Sequence, residues 1–466
     1  LSFEIGIQVC PHAILDEGVD QALDLMVEKA GINSLMLNTH SYYGAANGWR
    51  KNHSLAQDHG AALSDPGDGS LERPWVVHQE STFAGLPVKH RPMDASIRYG
   101  NGDIFGKLVE AAHQRGMKVY ARYLEGWESA RLRHIPNWTA VLAEDLQGQK
   151  MQIPCFTNPV YREWWRATIE DVARLYPIDG YFLGFERAEP LSDTLFPGQK
   201  PYCFCEHCVR RGRENGVDIA RARLGWEMLA NITRRAMEGG PSRHDGLFPE
   251  TLRVLLRYPE VIQWSRLEWE GQESLAAMSA GVVKRLRPNA EFGMISHPDG
   301  LDVFKVARED WEAKGELCDF MVLRLYTDIA GPRTARNIQR ARKRFLRDFS
   351  EKDLLSFNWR MIGLDPQNAP EVDYLKEHGY PLEYVEVNSR RCAQALGSKC
   401  RFLIGFGIDI PKEDGHPFPT DAGFLEKCVQ TVLKEGARGV VLCREYEEIR
   451  ASNMEVVGKI VKNLGQ

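Results

Sequence analysis

Eight short β-rich runs alternate with amphipathic helical stretches along the whole 466-residue chain. FEIGIQV (3–9), SLMLNTHSY (34–42), MKVYARYLEG (117–126) and GYFLGFERAEP (180–190) supply four, with VDQALDLMVEKAG, IFGKLVEAAHQRG and REWWRATIEDVARLYPID between them. AEFGMISHP (290–298), DFMVLRLYTDI (319–329), RFLIGFGIDIP (401–411) and GVVLCREYEEI (439–449) supply the rest. Runs of this length without polar alternation are what strands covered on both faces look like. Several are entered through a helix–Gly–x–strand junction, as in AGINSL, RGMKVY and EGARGVV. Eight such units predict a parallel (β/α)8 barrel. A doubly wound open sheet would normally carry a Gly-rich phosphate loop after its first strand, and VCPHAILDEG holds none.

In this fold the loops after the strands carry the chemistry. The spacing makes four of them long (43–105, 126–158, 187–255 and 330–395), all as insertions in one barrel domain. HGAALSDPGDGSLERP (59–74) reads as surface loop and SFNWRMIG (356–363), which holds Trp359, as an extra extended segment. A net charge of −5 gives no basic surplus for nucleic acid. No run approaches the ~18–20 apolar residues of a membrane span, so the chain reads as soluble. Either a cytoplasmic home or export with a signal peptide removed is compatible, and because such barrels often associate, so is a homo-oligomer.

The strand ends collect a polar set: His40 and its neighbours after the second run; Arg122, Glu125 and Trp127 after the third; Glu186, Arg187 and Glu189 after the fourth. His297, then Arg324, Tyr326 and Asp328, then Asp409, then Arg444, Glu445 and Tyr446 follow the last four. Carboxylates beside aromatic platforms suit glycoside cleavage: one carboxyl group protonates the leaving oxygen while the other attacks C1 or activates water. Trp and Tyr faces, Trp359 among them, suit stacking on a sugar ring, and Arg and His suit its hydroxyls. Glu186, directly after GYFLGF, is the leading acid; Asp409 and Glu445 compete as its partner. A metallohydrolase built on His40 and His297 lacks an HxH or HExxH spacing.

CFCEHC places Cys203, Cys205 and Cys208 in one turn, three thiolates short of one ligand for tetrahedral zinc. Cys155, on the preceding loop, and His207 are the candidates for the fourth; thiols without metal are the alternative. A closed site of this kind is structural rather than catalytic.

IPCFTNPVYREWW (153–165) and CFCEHCVRRGREN (203–215) resemble the Cys-Pro-Asn-Ser-Pro-x-Tyr-Arg segment and the Cys-x-Cys-x-x-Cys loop of family-42 glycoside hydrolases, the bacterial β-galactosidase barrels. The similarity spans roughly residues 150–297. It implies that Cys155, Cys203, Cys205 and Cys208 bind a structural zinc and that Glu186 is the acid/base. Two positions depart from the family: Phe185 stands where an Asn precedes the acid/base, and Asp409 stands where a Glu is the nucleophile. The expectation is a divergent glycosidase acting on an oligo- or polysaccharide. A carbohydrate-binding barrel without catalysis and a sugar-acid lyase or isomerase are its alternatives.

Overall fold

The computed structural model describes residues 3–42, 58–59, 71–91, 94–125, 130–185, 189–412 and 418–464. Eight parallel strands close into one barrel: β1 (Glu4–Val9), β2 (Ser34–Asn38), β3 (Lys118–Glu125), β4 (Gly180–Phe185), β5 (Glu291–Ser296), β6 (Phe320–Leu325), β7 (Arg401–Gly407) and β8 (Gly439–Cys443). Neighbours pair in chain order, and β8 closes on β1 with Glu4 opposite Gly439 and Ile7 opposite Leu442.

The local signals act where the sequence places them. Gly31, Gly116 and Gly436, the glycines of the three junctions, sit at φ 63°, 73° and 88°, a left-handed region that side chains avoid. Asn158 caps the helix Pro159–Leu175 by accepting from the backbone N–H of Val160 and Tyr161, with Pro159 at its first position. The β-strand period of two then sorts side chains into two cores. Met36, Tyr120, Phe182, Phe320, Val322, Leu403, Val441 and Cys443 fill the barrel, while their odd-step neighbours pack against the helices. Gly293 is the concession to this filling: a Cβ there would fall 2.1 Å from the Phe320 ring.

At the N-terminal end the barrel is plugged by Arg401, which pairs with Glu4 (2.8 Å) and Glu291 (2.8 Å) over the face of Phe320. Tyr120 donates to Glu291 at 2.6 Å. Arg401→Met removes the cation shared by Glu4 and Glu291 and leaves only Lys118, 3.4 Å from Glu291, to answer the two carboxylates. Because Glu291 is partly open to water, the expected loss is on the order of 2–4 kcal/mol, at or below that of breaking a fully buried pair. Urea denaturation of the variant checks it.

Two features differ from the sequence reading. The strands stop short of the polar residues written into them: β2 ends at Asn38, β6 at Leu325 and β8 at Cys443, and Thr327 already begins the helix Thr327–Ala341. SFNWRMIG is not extended; it lies largely within the helix Glu351–Met361, set by a Ser350–Asp353 capping box. The insertion after β3 contains an antiparallel hairpin, Leu142–Glu144 with Lys150–Pro154, and the one after β4 contains helices Pro190–Leu195, Glu206–Glu214, Ile219–Met237 and Leu247–Arg257. Among the described residues no helix is long and apolar enough to cross a membrane.

Candidate functional site

Inward alternation continues past the apolar filling and delivers polar side chains to the C-terminal mouth. On β3 it turns Arg122 inward after Tyr120; past β8 it brings Glu445 in after Val441 and Cys443. Arg122 Nη1 donates to Glu445 Oε1 at 2.7 Å and to Asn38 Oδ1 at 2.9 Å, in a pair whose side chains are 1% and 4% exposed. Glu445 Oε2 has no hydrogen-bond partner among the described residues, nor has either amide atom of Gln8, which lies opposite Met36 on the adjoining strand. Buried polar atoms are rarely left unpaired, so this cluster is equipped to take further hydrogen bonds.

Beside it, between the ends of β5 and β6, a cavity of about 230 Å³ is lined by His297, Arg324, Tyr326, Arg333, Asn358 and Tyr380 among others. The Arg324 and Arg333 guanidinium carbons lie 5.9 and 5.8 Å from the centre of the Tyr326 ring. Burial, then the nearby Lys305 ammonium, pushes His297 down to about 4, so its ring is neutral at pH 7, and its Nδ1 has no hydrogen-bond partner among the described residues. Trp359 stands behind this cavity rather than in its lining, buried edge-on against Tyr380 at 5.1 Å.

The other expected residues go elsewhere. Asp409, at φ 55°, is fully buried with both carboxylate oxygens engaged: Oδ1 accepts from Thr420 N–H and Arg450 Nε, Oδ2 from Arg450 N–H, and Asn453 Nδ2 lies 3.0 and 3.1 Å from the two. Such a carboxylate ties the β7 end to the start of the helix Ala451–Leu464. Tyr446 donates to Glu17 (2.8 Å), Arg444 pairs with Glu448 and Glu125 accepts from Tyr161 on the helix Pro159–Leu175. His40 packs edge-on against Tyr123, a residue of the outer core, so it lies toward the helix layer. Its neighbours there, His78 and His90, were not singled out by sequence, where they are isolated histidines in a long insertion. Glu186 and Trp127 lie outside the described residues.

The four cysteines do meet. Cys155 follows the hairpin, Cys205 stands at the N-cap of the helix Glu206–Glu214, and one sulfur from each of Cys155, Cys203, Cys205 and Cys208 lies within 4.8 Å of the others. Cys155 Sγ is 3.4 Å from Cys208 Sγ and 3.5 Å from Cys205 Sγ. Disulfide sulfurs would be about 2.05 Å apart, whereas tetrahedral Zn–S bonds of about 2.3 Å place sulfurs about 3.8 Å apart. The donor set and spacing therefore fit zinc. Hydrogen bonds from Cys155, Cys203 and Cys208 pull the Cys205 thiol far down; burial raises Cys203 and the neighbouring thiols raise Cys208. His207 lies outside the set, beside Glu206 and Arg210.

No family model and no curated protein sequence matches this chain. Among solved structures, β-galactosidases from Marinomonas ef1, Bacillus circulans sp. alkalophilus and Halorubrum lacusprofundi superimpose with TM-scores of 0.51, at 10%, 10% and 11% identity. Each alignment covers 99% of this chain but only 59%, 56% and 58% of the β-galactosidase, so the chain spans less than two thirds of their length. What the chain shares with these proteins at such identity is the fold, the eight-stranded (β/α)8 barrel.

Proposed function

We propose that this barrel is a glycoside hydrolase whose carboxylate pair is Glu186 and Glu445. The observation that carries the reading is Glu445: a carboxylate inside the mouth, ion-paired through one oxygen and with the other unclaimed by any described residue. Arg122 fixes one oxygen in place and leaves the other for attack at C1 or for activating water. Asp409 lacks that freedom, because both of its oxygens already hold backbone and side-chain donors. Glu186 directly follows the apolar run GYFLGF in the sequence, and the family-42 resemblance of the neighbouring segments supports it as the proton donor. Tyr326, with the Arg324 and Arg333 guanidinium groups near its ring, and the neutral His297 suit a sugar ring and its hydroxyls.

The experiment is a panel of nitrophenyl glycosides and oligosaccharides assayed with the wild type and with Glu186→Gln. The expected result is turnover by the wild type on at least one substrate and a loss of roughly 10²–10⁴-fold in the variant, the usual share of a general acid. Substrates with an activated nitrophenolate leaving group should suffer least. Calorimetric binding of an oligosaccharide with no turnover by either protein would replace this reading with a carbohydrate-binding barrel, which Phe185 in place of Asn makes the next best.

We also infer that Cys155, Cys203, Cys205 and Cys208 hold a structural zinc. Bound there, zinc would keep all four thiols ionised and join the β3 and β4 insertions.

A further inference from the structure

The ring nitrogens of His40 and His78 face each other at 2.9 Å, Nε2 to Nε2. Their other nitrogens decide what each Nε2 can offer. His78 Nδ1 lies 2.8 Å from Asp171 Oδ2, so it carries the proton and donates it to that carboxylate. His40 Nδ1 lies 2.9 Å from Thr39 Oγ1, whose single hydrogen already goes to the Arg122 carbonyl at 3.1 Å, so His40 Nδ1 is the donor here too. Both Nε2 atoms are then left as lone pairs pointing at each other. His90 repeats the pattern: its Nε2 is 3.2 Å from Thr168 Oγ1, which donates to the Trp164 carbonyl at 2.9 Å. Its lone pair is therefore on Nδ1, next to the Tyr42 hydroxyl at 2.9 Å.

Two facing lone pairs repel unless something electrophilic lies between them. A metal ion answers that need. One nitrogen from each of the three rings lies within 4.8 Å of the others. Asp171, 1% exposed and held by Gln79 N–H and Thr82 Oγ1, orients His78 as outer carboxylates orient metal-bound histidines.

We propose that His40, His78 and His90 form a second metal site, for a divalent late transition ion such as zinc, distinct from the four cysteines and from the barrel mouth. Neutral imidazoles favour such ions over calcium or magnesium, which prefer oxygen. Tetrahedral Zn–N bonds of about 2.0–2.1 Å put nitrogens about 3.3 Å apart, so His40 and His78 need to open by only a few tenths of an ångström. The Tyr42 oxygen stands where a fourth ligand would come from. An access route exists: His78 and His90 line an open cavity of about 350 Å³ with Trp75, Phe83 and Pro136. The ion would clamp the β2 insertion, which carries His78 and His90, onto β2 and the helix Pro159–Leu175, which carries Thr168 and Asp171.

The test is zinc per chain, measured by elemental analysis after equilibration with excess zinc and removal of unbound ion, in the wild type, His78→Ala, His40→Gln and Cys203→Ser. The histidine variants should each hold one equivalent fewer than the wild type, and Cys203→Ser should keep the histidine-bound equivalent. With cobalt(II), that equivalent should show d–d bands without the charge transfer of thiolate ligation. Asp171→Asn, which leaves all three ligands in place, should weaken this site about 10–100-fold and guards against a histidine variant that does not fold. Equal zinc in the wild type and both histidine variants, with none in Cys203→Ser, would overturn the proposal and leave a hydrogen-bonded histidine chain in its place. Loss of the thiol-bound ion alone bears only on the cysteine site.

Discussion

Glu445→Gln is expected to lower kcat by roughly 10²–10⁴-fold on any glycoside the wild type cleaves, with KM changed far less. The amide is nearly isosteric and can still accept from Arg122, so the bowl keeps its shape while the group that must attack or activate water loses its charge. If Glu445 is the nucleophile, azide should restore turnover in Glu445→Gln with inversion at C1, whereas azide after Glu186→Gln should yield a product of retained configuration. The substitution has a second effect. It breaks the buried pair between Arg122, 1% exposed, and Glu445, and breaking such a pair costs on the order of 3–5 kcal/mol in other proteins. Melting curves must therefore accompany the kinetics, and the rate loss has to persist at temperatures where the variant is fully folded.

Asp409→Asn provides the contrast. Its donors come from Thr420, Arg450 and Asn453, so the expected effect is on melting temperature, with activity per folded molecule nearly unchanged. Inactivity of a fully stable Asp409→Asn together with an active Glu445→Gln would move the second carboxylate to β7.

Cys203→Ser is expected to remove one zinc per chain and the largest single increment of stability of any substitution considered. In zinc-finger peptides such sites are worth about 10–16 kcal/mol. Here the four sulfurs are also packed into the core, so the loss is expected to be smaller, on the order of several kcal/mol. The feature that separates a shared ion from four independent buried thiols is non-additivity. If one ion joins Cys155 to Cys203, then Cys155→Ser together with Cys203→Ser should be little worse than either alone. Fully additive losses and a wild type free of zinc would dismiss the metal. The thiol loop belongs to the same insertion as Glu189, fourteen residues before Cys203, so an untied loop should lower kcat as well as stability.

Barrel topology was legible because each unit is local. A strand covered on both faces has to be apolar throughout, and a helix that turns back through a left-handed glycine shows it, as Gly31, Gly116 and Gly436 do. The meeting of Cys155 with the CFCEHC turn was legible too, from adjacent insertions and the resemblance to family-42 sequences, although the turn alone left His207 as an alternative partner. The extended reading of SFNWRMIG failed for a local reason as well: its aromatics outweighed the Ser350–Asp353 cap lying just before it. The hairpin at 142–154 was missed because its strands are short and carry exposed Lys and Gln residues with little apolar signal.

Which carboxylate is free was not legible. Asp409 and Glu445 both follow apolar strands with the same inward parity, and only the fold reveals that a left-handed turn at Asp409 hands its oxygens to a helix 41 or more residues later, while Glu445 meets Arg122 across 323 residues. His40 likewise looked like a strand-end ligand until closure of the β2 insertion set it against His78 and His90. By itself the sequence determined the eight units, their order and the thiol set, since hydrophobic period and turn chemistry act over a few residues. Tertiary structure alone decided which polar groups meet and which keep a lone pair to spare, because that depends on partners brought together only when the barrel closes.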